Sequence, residues 1–362
     1  MITGGSVHAF YLFDVAQGID LARVQTLVGG QPMPAIVPDK SPGTSRVRYL
    51  QPPVVAPGES LGAPSLDGFA VRVKFYDYGV ISLRLSRPFT GTWGELAGVA
   101  QDLIENDALE NHATALCQRI AGRVAPALTD ARTAHLAEDY LALVVNRLDA
   151  PASAELVLER HGADIAQMLR GERQTLSNQE REEVLRHRLS YLTDDLVVPA
   201  YNAAFLYDTE AGAQPSLEIL EYVNSQLLEY RYHDELLETE LGRIYGALQQ
   251  PRSFGWLFGR RSARAVKELH SLFIDINELN DRMENVLKLV GDVYAARLFG
   301  LAGARLGLDA WKHNVEEKLE TLDDIYRFTV EQGSMSRANL LELIIVLILT
   351  VEFGFFLRDL LR

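Results

Sequence analysis

The sequence predicts an α+β fold: an N-terminal ferredoxin-like sheet-and-helix domain, a three-helix antiparallel coiled-coil bundle, and a C-terminal transmembrane helix. Three observations lead to this prediction. The N-terminal half alternates strand-like and helix-like runs in the order β-α-β-β-α-β. In the C-terminal half, apolar residues recur every three or four positions, and a long apolar run lies near the C-terminus. We expect domains at 1–210, 216–335 and 338–358.

The elements of the N-terminal half follow from hydrophobic periodicity. Strands are expected at 6–15, 68–76, 80–85 and 140–145, and helices at 19–28, 93–104 and 113–124. The two central strands form a hairpin with Gly79 in its turn, and Arg72 and Lys74 alternate with apolar residues in its first strand. Residues 29–65 hold eight of the fourteen prolines, which indicates a long surface insertion.

Heptad-like spacing characterises the C-terminal half. Apolar seams run along 220–248, 269–293 and 308–326, so we expect three long helices that fold back on one another. These stripes predict a packed core and not a cofactor site. The sequence leaves open whether the seams close within one chain or between chains.

The run LLELIIVLILTVEFGFFL at Leu340–Leu357 predicts a membrane anchor, because a helix of that length rises through about 27 Å, close to the thickness of a bilayer core. The alternative is a buried C-terminal core helix. The predicted anchor residues are Leu343, Ile344, Ile345, Val346, Leu347, Ile348, Leu349, Val351, Phe353, Phe355 and Phe356.

Two carboxylates interrupt this run. A carboxylate inside hydrocarbon is costly unless it is protonated or paired, so we expect Glu342 and Glu352 to make contacts between anchors in a homo-oligomer. No hydrophobic segment precedes the anchor, which predicts a single-pass protein with its N-terminal bulk in the cytoplasm. The single cysteine, Cys117, agrees with a reducing compartment and is expected to be a buried free thiol.

The loop at 251–261 has the composition of a membrane-surface segment. It combines aromatic side chains that could enter a headgroup region with basic side chains that could face anionic lipid. The alternative is that its aromatic residues cap the helical bundle. The residues proposed for lipid contact are Phe254, Trp256, Phe258, Arg260 and Arg261.

Charge restricts the classes of partner. A net charge of −14 disfavours capture of phosphate backbones, so no direct nucleic-acid binding is expected. Between 208 and 250 there are nine acids and two bases, a pattern typical of a solvated helix face that could also dock a basic partner. The histidines are too widely spaced for a local metal site, and no phosphate-binding glycine loop is present, so neither metal nor cofactor is predicted.

Four segments resemble a known family: the strand-like 194–208, the acidic helix at 217–241, the stretch at 287–311 and the tail with Glu342 and Glu352. They look like the membrane proteins called required for meiotic nuclear division, built on the domain of unknown function 155. Eukaryotic relatives in that family are mitochondrial inner-membrane proteins that support organelle translation. The resemblance implies a tether near translation and supplies no catalytic motif.

These expectations combine into one functional prediction. The chain is expected to be a tail-anchored, non-enzymatic scaffold or tether that holds its α+β domain at a membrane to bind an unidentified protein partner. One alternative is a membrane-surface enzyme that uses carboxylates near Asp194, Asp195 and Asp208, with Tyr201 close by. The other is a soluble oligomeric assembly protein whose last helix is buried.

Overall fold

A computed structural model describes residues 1–33, 52–58, 65–66, 68–104, 106–132, 136–248, 273–274, 276–277, 293–325 and 327. The described residues up to Tyr232, together with 293–312, belong to one compact unit. Those from His233 to 277 and from His313 onward belong to a second. The first unit holds the sheet and the site discussed below.

A nine-stranded mixed sheet forms the centre of the first unit, with strand order β10-β11-β9-β1-β7-β6-β4-β3 and β5 paired to β6. Its pairs are antiparallel except for β9 and β11, which run parallel. A separate small sheet pairs β2 with β8. The strands are β1 Ile2–Asp14, β2 Ala16–Ile19, β3 Gln31–Pro32, β4 Val54–Pro57, β5 Ser65–Leu66, β6 Phe69–Phe75, β7 Val80–Gly91, β8 Leu128–Ala131, β9 Ala137–Leu148, β10 Leu196–Pro199 and β11 Ala203–Tyr207.

The helices begin at side-chain caps that the sequence provides. Asp20, Asn106, Ser153 and Ser177 each accept a hydrogen bond from the backbone N–H three residues later. The helices are α1 Leu21–Val28, α2 Trp93–Ile104, α3 Asp107–Val124, α4 Ala154–Arg170, α5 Asn178–Arg186, α6 Glu210–Leu248 and α7 Val293–Leu306. Residues 308–325 are also helical.

One face of the sheet carries the hydrophobic core. Alternate residues of β1, such as Val7 and Phe13, lie in one buried cluster with Leu83 of β7 and Leu143 of β9. Helices α2, α3 and α4 contribute their apolar faces to the same cluster, and Cys117 of α3 is a buried free thiol within it, as predicted. This face therefore follows the usual rule that apolar surface is removed from water.

The opposite face of the sheet is polar and is also buried. The intervening residues His8 of β1, Lys74 of β6 and Arg84 of β7 are at most 6% exposed. Helix α6 covers them, and its residues from Ser216 to Tyr230 are buried on every side. We call this surface the polar face.

The predicted ferredoxin-like domain is wrong. The expected strands and helices exist, but the sheet has nine strands and includes β10, β11 and the short strands of the Pro-rich region. A four-stranded unit with helices on one side would leave the polar face to water. Instead, α6 buries that face, so the architecture is a mixed α/β domain.

The predicted coiled-coil bundle is also wrong where the structure describes it. A coiled-coil helix buries one narrow stripe, whereas α6 buries Glu218, Glu221 and Asn224 along with Leu220 and Val223. Gly300 and Gly303 lie inside α7, between the second and third predicted seams, and Gly307 follows that helix with φ of 70°. Most of the second predicted seam lies outside the described residues.

The membrane predictions require correction too. Among the residues that the structure describes, no helix combines the length and the apolar character needed to cross a bilayer. This overturns the predicted transmembrane helix, the tail-anchored architecture and the single-pass membrane localisation. The run at 338–358 on which they depended lies outside the described part of the chain.

Candidate functional site

A pocket of about 660 Å³ opens at one end of the polar face, between the sheet and the start of α6. Strands β1, β6, β7 and β9 supply its floor and walls, and the residues before and within the first two turns of α6 close one side. Its volume is within the range of small-molecule sites. The polar side chains that line it are Ser6, His8, Arg72, Arg84, Ser86, Arg87, Asn146, Arg147, Thr209, Glu210 and Gln214.

Three arginines of the polar face, Arg72, Arg84 and Arg147, surround this pocket, which we call the arginine pocket. Arg84 is buried at its base, where Nη1 donates to Glu218 Oε1 at 3.3 Å and Nη2 donates to Gln214 Oε1 at 3.3 Å. Arg72 and Arg147 are exposed. Among the described residues, no carboxylate forms an ion pair with these two arginines, so their charge is available to a ligand. Arg87 borders the pocket but pairs with Val7 in the sheet, and its guanidinium lies 4.7 Å from the centre of the Phe69 ring on the apolar face.

Two glycines form the part of the floor contributed by β1. A side chain at position 5 would place its Cβ 2.5 Å from the Val144 carbonyl oxygen, so only glycine fits there. The pairing register of β1 with both neighbouring strands shifts at Gly4 and Gly5. This bulge leaves the guanidinium of Arg147 3.4 Å from the position that a Cβ on Gly4 would occupy.

His8 lies deep in the pocket and is held as a neutral ring. Burial, reinforced by the charges of Arg84 and Arg72, lowers the pKa of His8 to about 3. Arg84 Nε donates to His8 Nδ1 at 3.4 Å, which assigns the ring proton to Nε2. His8 Nε2 therefore donates to Ser6 Oγ, 2.8 Å away, and leaves the Ser6 hydroxyl hydrogen free to donate to a ligand.

The amino end of α6 lies at the same pocket. Thr209 Oγ1 accepts a hydrogen bond from Gly212 N at 3.0 Å, and Asp208 Oδ1 accepts one from Thr209 N at 2.6 Å. A helix of this length carries a partial positive charge at its amino end. Because Thr209, Ala213 and Gln214 line the pocket, this charge adds to that of the arginines.

A buried cluster of four charges lies next to the pocket and joins the sheet to α6. Lys74 forms ion pairs with Glu218 and with Glu221 Oε2, the latter at 2.7 Å. Burial opposes ionisation of Glu221, but the attraction of Lys74 and Arg84 holds its pKa below the usual value. Two cations thus balance two carboxylates at a site from which water is excluded.

Two more buried acids lie at the polar face, Glu138 on the sheet and Glu229 on α6. Glu138 of β9 forms an ion pair with Arg231, yet its burial dominates and raises the pKa of Glu138 to about 7. Burial and the nearby Asp14 raise the pKa of Glu229 well above its usual value, against the attraction of Arg132. The polar face is therefore ionic along much of its length.

Most of the predicted site residues lie outside the described part of the chain. This holds for every predicted anchor residue, for Glu342 and Glu352, and for the surface loop from Phe254 to Arg261. The anchor residues belong to the transmembrane helix that is overturned above, and the surface-loop assignment stays a prediction.

The carboxylates of the alternative enzyme hypothesis are described: Asp194 is exposed, and Asp195 and Asp208 accept backbone hydrogen bonds from nearby residues. Asp195 accepts hydrogen bonds from the backbone N–H groups of Tyr191 and Leu192, at 2.7 and 2.9 Å. Asp208 precedes α6, while Tyr201 lies in the turn between β10 and β11, at the other end of that hairpin. In the described residues, no three potential metal ligands come close enough to hold an ion.

The arginine pocket was missed at the sequence level although its signal was present. Arg72 and Lys74 alternate with apolar residues in β6, as do Arg84 and Ser86 in β7 and Ser6 and His8 in β1. Such alternation is typical of a strand with one apolar face and one polar face. The sequence predicts that the acidic stretch of α6 is a solvated surface or a docking site for a basic partner. The basic groups that it contacts belong to the same chain.

Comparison with known proteins gives a family and no function. The chain is similar over 188 residues, at 26% identity, to an uncharacterized protein, MJ0711, of Methanocaldococcus jannaschii. The match covers 52% of this chain and 57% of that relative, so it spans little more than half of either protein. No solved structure matches the chain. The model of the family described as uncharacterized protein MJ0711, N-terminal domain, matches residues 4–214, and the chain belongs to that family.

Proposed function

We propose that this protein is a binding protein that holds an anionic ligand in the arginine pocket. The observation that carries the proposal is the concentration of three arginines around one cavity in a chain whose net charge is −14. An acidic protein gains nothing in solubility from such clustering, and two of these guanidinium groups have no described carboxylate partner. Guanidinium groups bind carboxylate and phosphate oxygens in pairs, which suits them to anion recognition.

The proposal is for binding without catalysis. Ser6 and His8 form the one hydroxyl–imidazole pair in the described pocket, but Nε2 of His8 carries the proton and cannot accept one from Ser6. A ring whose pKa is about 3 is also a weak base at neutral pH. We propose that the chain acts as a scaffold whose ligand or partner presents the anionic group. The resemblance to the required-for-meiotic-nuclear-division family, and the link to translation that it implies, stay predictions.

Titration calorimetry with simple anions tests the proposal. We expect saturable binding of sulfate, phosphate or citrate to the full chain, and a loss of about tenfold or more in affinity for the double variant Arg72→Ala/Arg147→Ala. Both side chains are exposed, so their removal should leave the fold intact. Arg119→Ala is the matched control, because Arg119 is exposed on α3, which packs on the other face of the sheet. Binding that is equal in the double variant and the control would refute the proposal.

A further inference from the structure

The two ends of the arginine pocket differ in charge, and this difference points to a class of ligand. We propose that the pocket recognises an acidic amino acid. Arg147 and Glu210 bind its α-carboxylate and its ammonium group, and Arg72 binds the acidic group of its side chain. This inference rests on the proposed function, because it specifies which anion the pocket takes.

Strand pairing places the two unpaired arginines at opposite ends of the pocket. Arg72 lies opposite Arg84 of β7, and Arg84 lies opposite Phe10 of β1. Arg147 of β9 lies opposite Gly4 of β1. Three strand spacings across the sheet and six residues of β1 along it therefore separate Arg72 from Arg147, so their Cα atoms lie on the order of 20 Å apart. A ligand with two separated acidic groups can pair with both guanidinium groups, whereas a single small anion would leave one of them unused.

The end of the pocket at Arg147 carries both signs of charge. Asp208 N donates to Val145 O at 3.2 Å, and Asn146 Nδ2 donates to Asp208 O at 3.0 Å, so the end of β9 is fixed beside the start of α6. The exposed side chains of Arg147 and Glu210 both line the pocket there. Within the described part of the chain, neither forms an ion pair, even with the other. Glu210 would repel a plain anion bound at Arg147, whereas an amino acid offers an ammonium group to the one and a carboxylate to the other.

The neutral hydrogen-bonding groups show the same division. At the end that carries both charges, Asn146 uses its amide nitrogen to hold Asp208 O, so its Oδ1 is available as an acceptor for an ammonium group. Nearer the other end, Gln214 Oε1 accepts a hydrogen bond from Arg84, so the amide nitrogen of Gln214 is available as a donor to a carboxylate. The side chain of an acidic amino acid presents acceptors alone, as this second end requires.

The charges of such a ligand also match those of the pocket. On the polar face, the charged lining groups without a described ion pair are the two guanidinium groups of Arg72 and Arg147 and the carboxylate of Glu210. At neutral pH an acidic amino acid carries two carboxylates and one ammonium group. Each charge of the ligand therefore meets an opposite charge. A plain dicarboxylate would be repelled by Glu210, and an amino acid with one carboxylate would leave Arg72 unused.

Calorimetry on the full chain tests these contacts separately. The ligands are L-aspartate, L-glutamate and L-2-aminoadipate, the matching dicarboxylates succinate, glutarate and adipate, which lack the amine, and L-norvaline, which lacks the second acidic group. We expect the best of the three acidic amino acids to bind about tenfold or more tightly than its matching dicarboxylate and than L-norvaline.

Single variants assign each contact. Glu210→Gln should abolish the preference for the amine and bind the plain dicarboxylates at least as tightly as the parent does. Arg72→Ala should reduce the affinity for the acidic amino acid to about that for L-norvaline and leave the latter unchanged, and Arg147→Ala should weaken every ligand. The control Arg119→Ala should keep the order of the parent. An acid in the first turn of α6 also stabilises the helix, but a purely structural Glu210 would leave the preference for the amine intact, and that result would overturn the inference.

Each outcome separates the two proposals. If a plain dicarboxylate or L-norvaline binds as tightly as the best acidic amino acid, the inference is overturned and the proposed function stands. The same holds if no amino acid binds while sulfate, phosphate or citrate does. If no anion binds, both proposals fail. A thermal melt of each variant shows whether it is folded, so that a lost signal is assigned to binding.

Discussion

The two faces of the central sheet are built from the same strands, but hydrophobic burial stabilises one face and buried ion pairs stabilise the other. On one face, Val7, Leu83 and Leu143 pack with apolar helices, and the stabilisation comes from removing hydrocarbon from water. On the other face, His8, Lys74 and Arg84 are covered by α6, whose acids neutralise Lys74 and Arg84. The apolar face can tolerate a change of shape at moderate cost. The polar face depends on balanced charge, because a lone buried ion is far more costly than a small cavity.

The largest effect should come from unbalancing the polar face. Replacing Lys74 by Met removes one cation from between Glu218 and Glu221 and leaves an excess negative charge in a buried site. We expect the free energy of unfolding to fall by about 4 kcal/mol, measured by denaturant titration.

The control for this variant restores neutrality without restoring the ion pair. In Lys74→Met/Glu221→Met, Glu218 and Arg84 remain as one balanced pair. We expect this double variant to recover most of the lost stability, because replacing a whole buried pair by apolar groups is often neutral. A double variant as unstable as Lys74→Met would show that charge balance is not what holds the polar face.

A cavity on the apolar face should cost somewhat less. Leu83 of β7 is fully buried, and Leu83→Ala is expected to lower the free energy of unfolding by about 3 kcal/mol through lost burial and an unfilled cavity. This loss should be the same at low and high salt, since no charge is involved. Leu83→Met, which conserves volume, should cost less than about 1.5 kcal/mol. A strong salt dependence for Leu83→Ala would contradict the distinction between the two faces.

The polar face should also give the protein a pH dependence near neutrality. Burial raises the pKa of Glu138 from 4.5 to about 7 in the folded state, despite the pair with Arg231. Between these values the folded protein binds its proton more tightly than the unfolded chain does, so stability falls as the pH rises from about 4.5 to 7. Glu138→Gln should remove a change on the order of 1–3 kcal/mol across that window.

Denaturant titration at several pH values measures this slope, and Glu159→Gln supplies the matched control. Glu159 is exposed on α4, so its neutralisation should leave the pH profile unchanged. An identical profile for the parent and Glu138→Gln would mean that Glu138 is ionised throughout and that its ion pair outweighs its burial.

The smallest effects on stability are expected at the opening of the arginine pocket. Arg72→Ala and Arg147→Ala remove exposed side chains that have no described ion pair, so each should change the free energy of unfolding by less than about 0.5 kcal/mol. Their effect should appear in anion affinity instead. A loss of several kcal/mol in either variant, measured by the same titration, would assign these arginines to folding rather than to binding.

Local structure could be read from the sequence to a large extent. The strand at 6–15, the hairpin around Gly79 and the helices at 93–104 and 113–124 are present, because their periodicity and turn residues act over short distances. Gly79, at φ of 104°, could not carry a side chain, since its Cβ would lie 1.8 Å from the Ala16 carbonyl oxygen. The arrangement of these elements was predicted incorrectly, and so was the transmembrane helix.

The candidate site could not be assembled from sequence for a physical reason. Arg72 and Arg84 lie opposite each other in the predicted hairpin, but Arg147 joins them only because β9 and β7 both pair with β1 in one sheet. The acids of α6 looked solvated because a sequence pattern cannot show which partner neutralises a charge. Glu218 is separated from Lys74 by 144 positions, so nothing local relates them.

By itself the sequence determined where most strands and helices of the N-terminal half form, the burial of Cys117 and the acidic character of the chain. Only the tertiary structure decided that both faces of the sheet are covered, that the acids of α6 pair with the sheet, and that two unpaired arginines share one pocket. The reason is that periodicity and capping are set by neighbours along the chain, whereas burial of charge and the sharing of a pocket are set by contacts between distant segments.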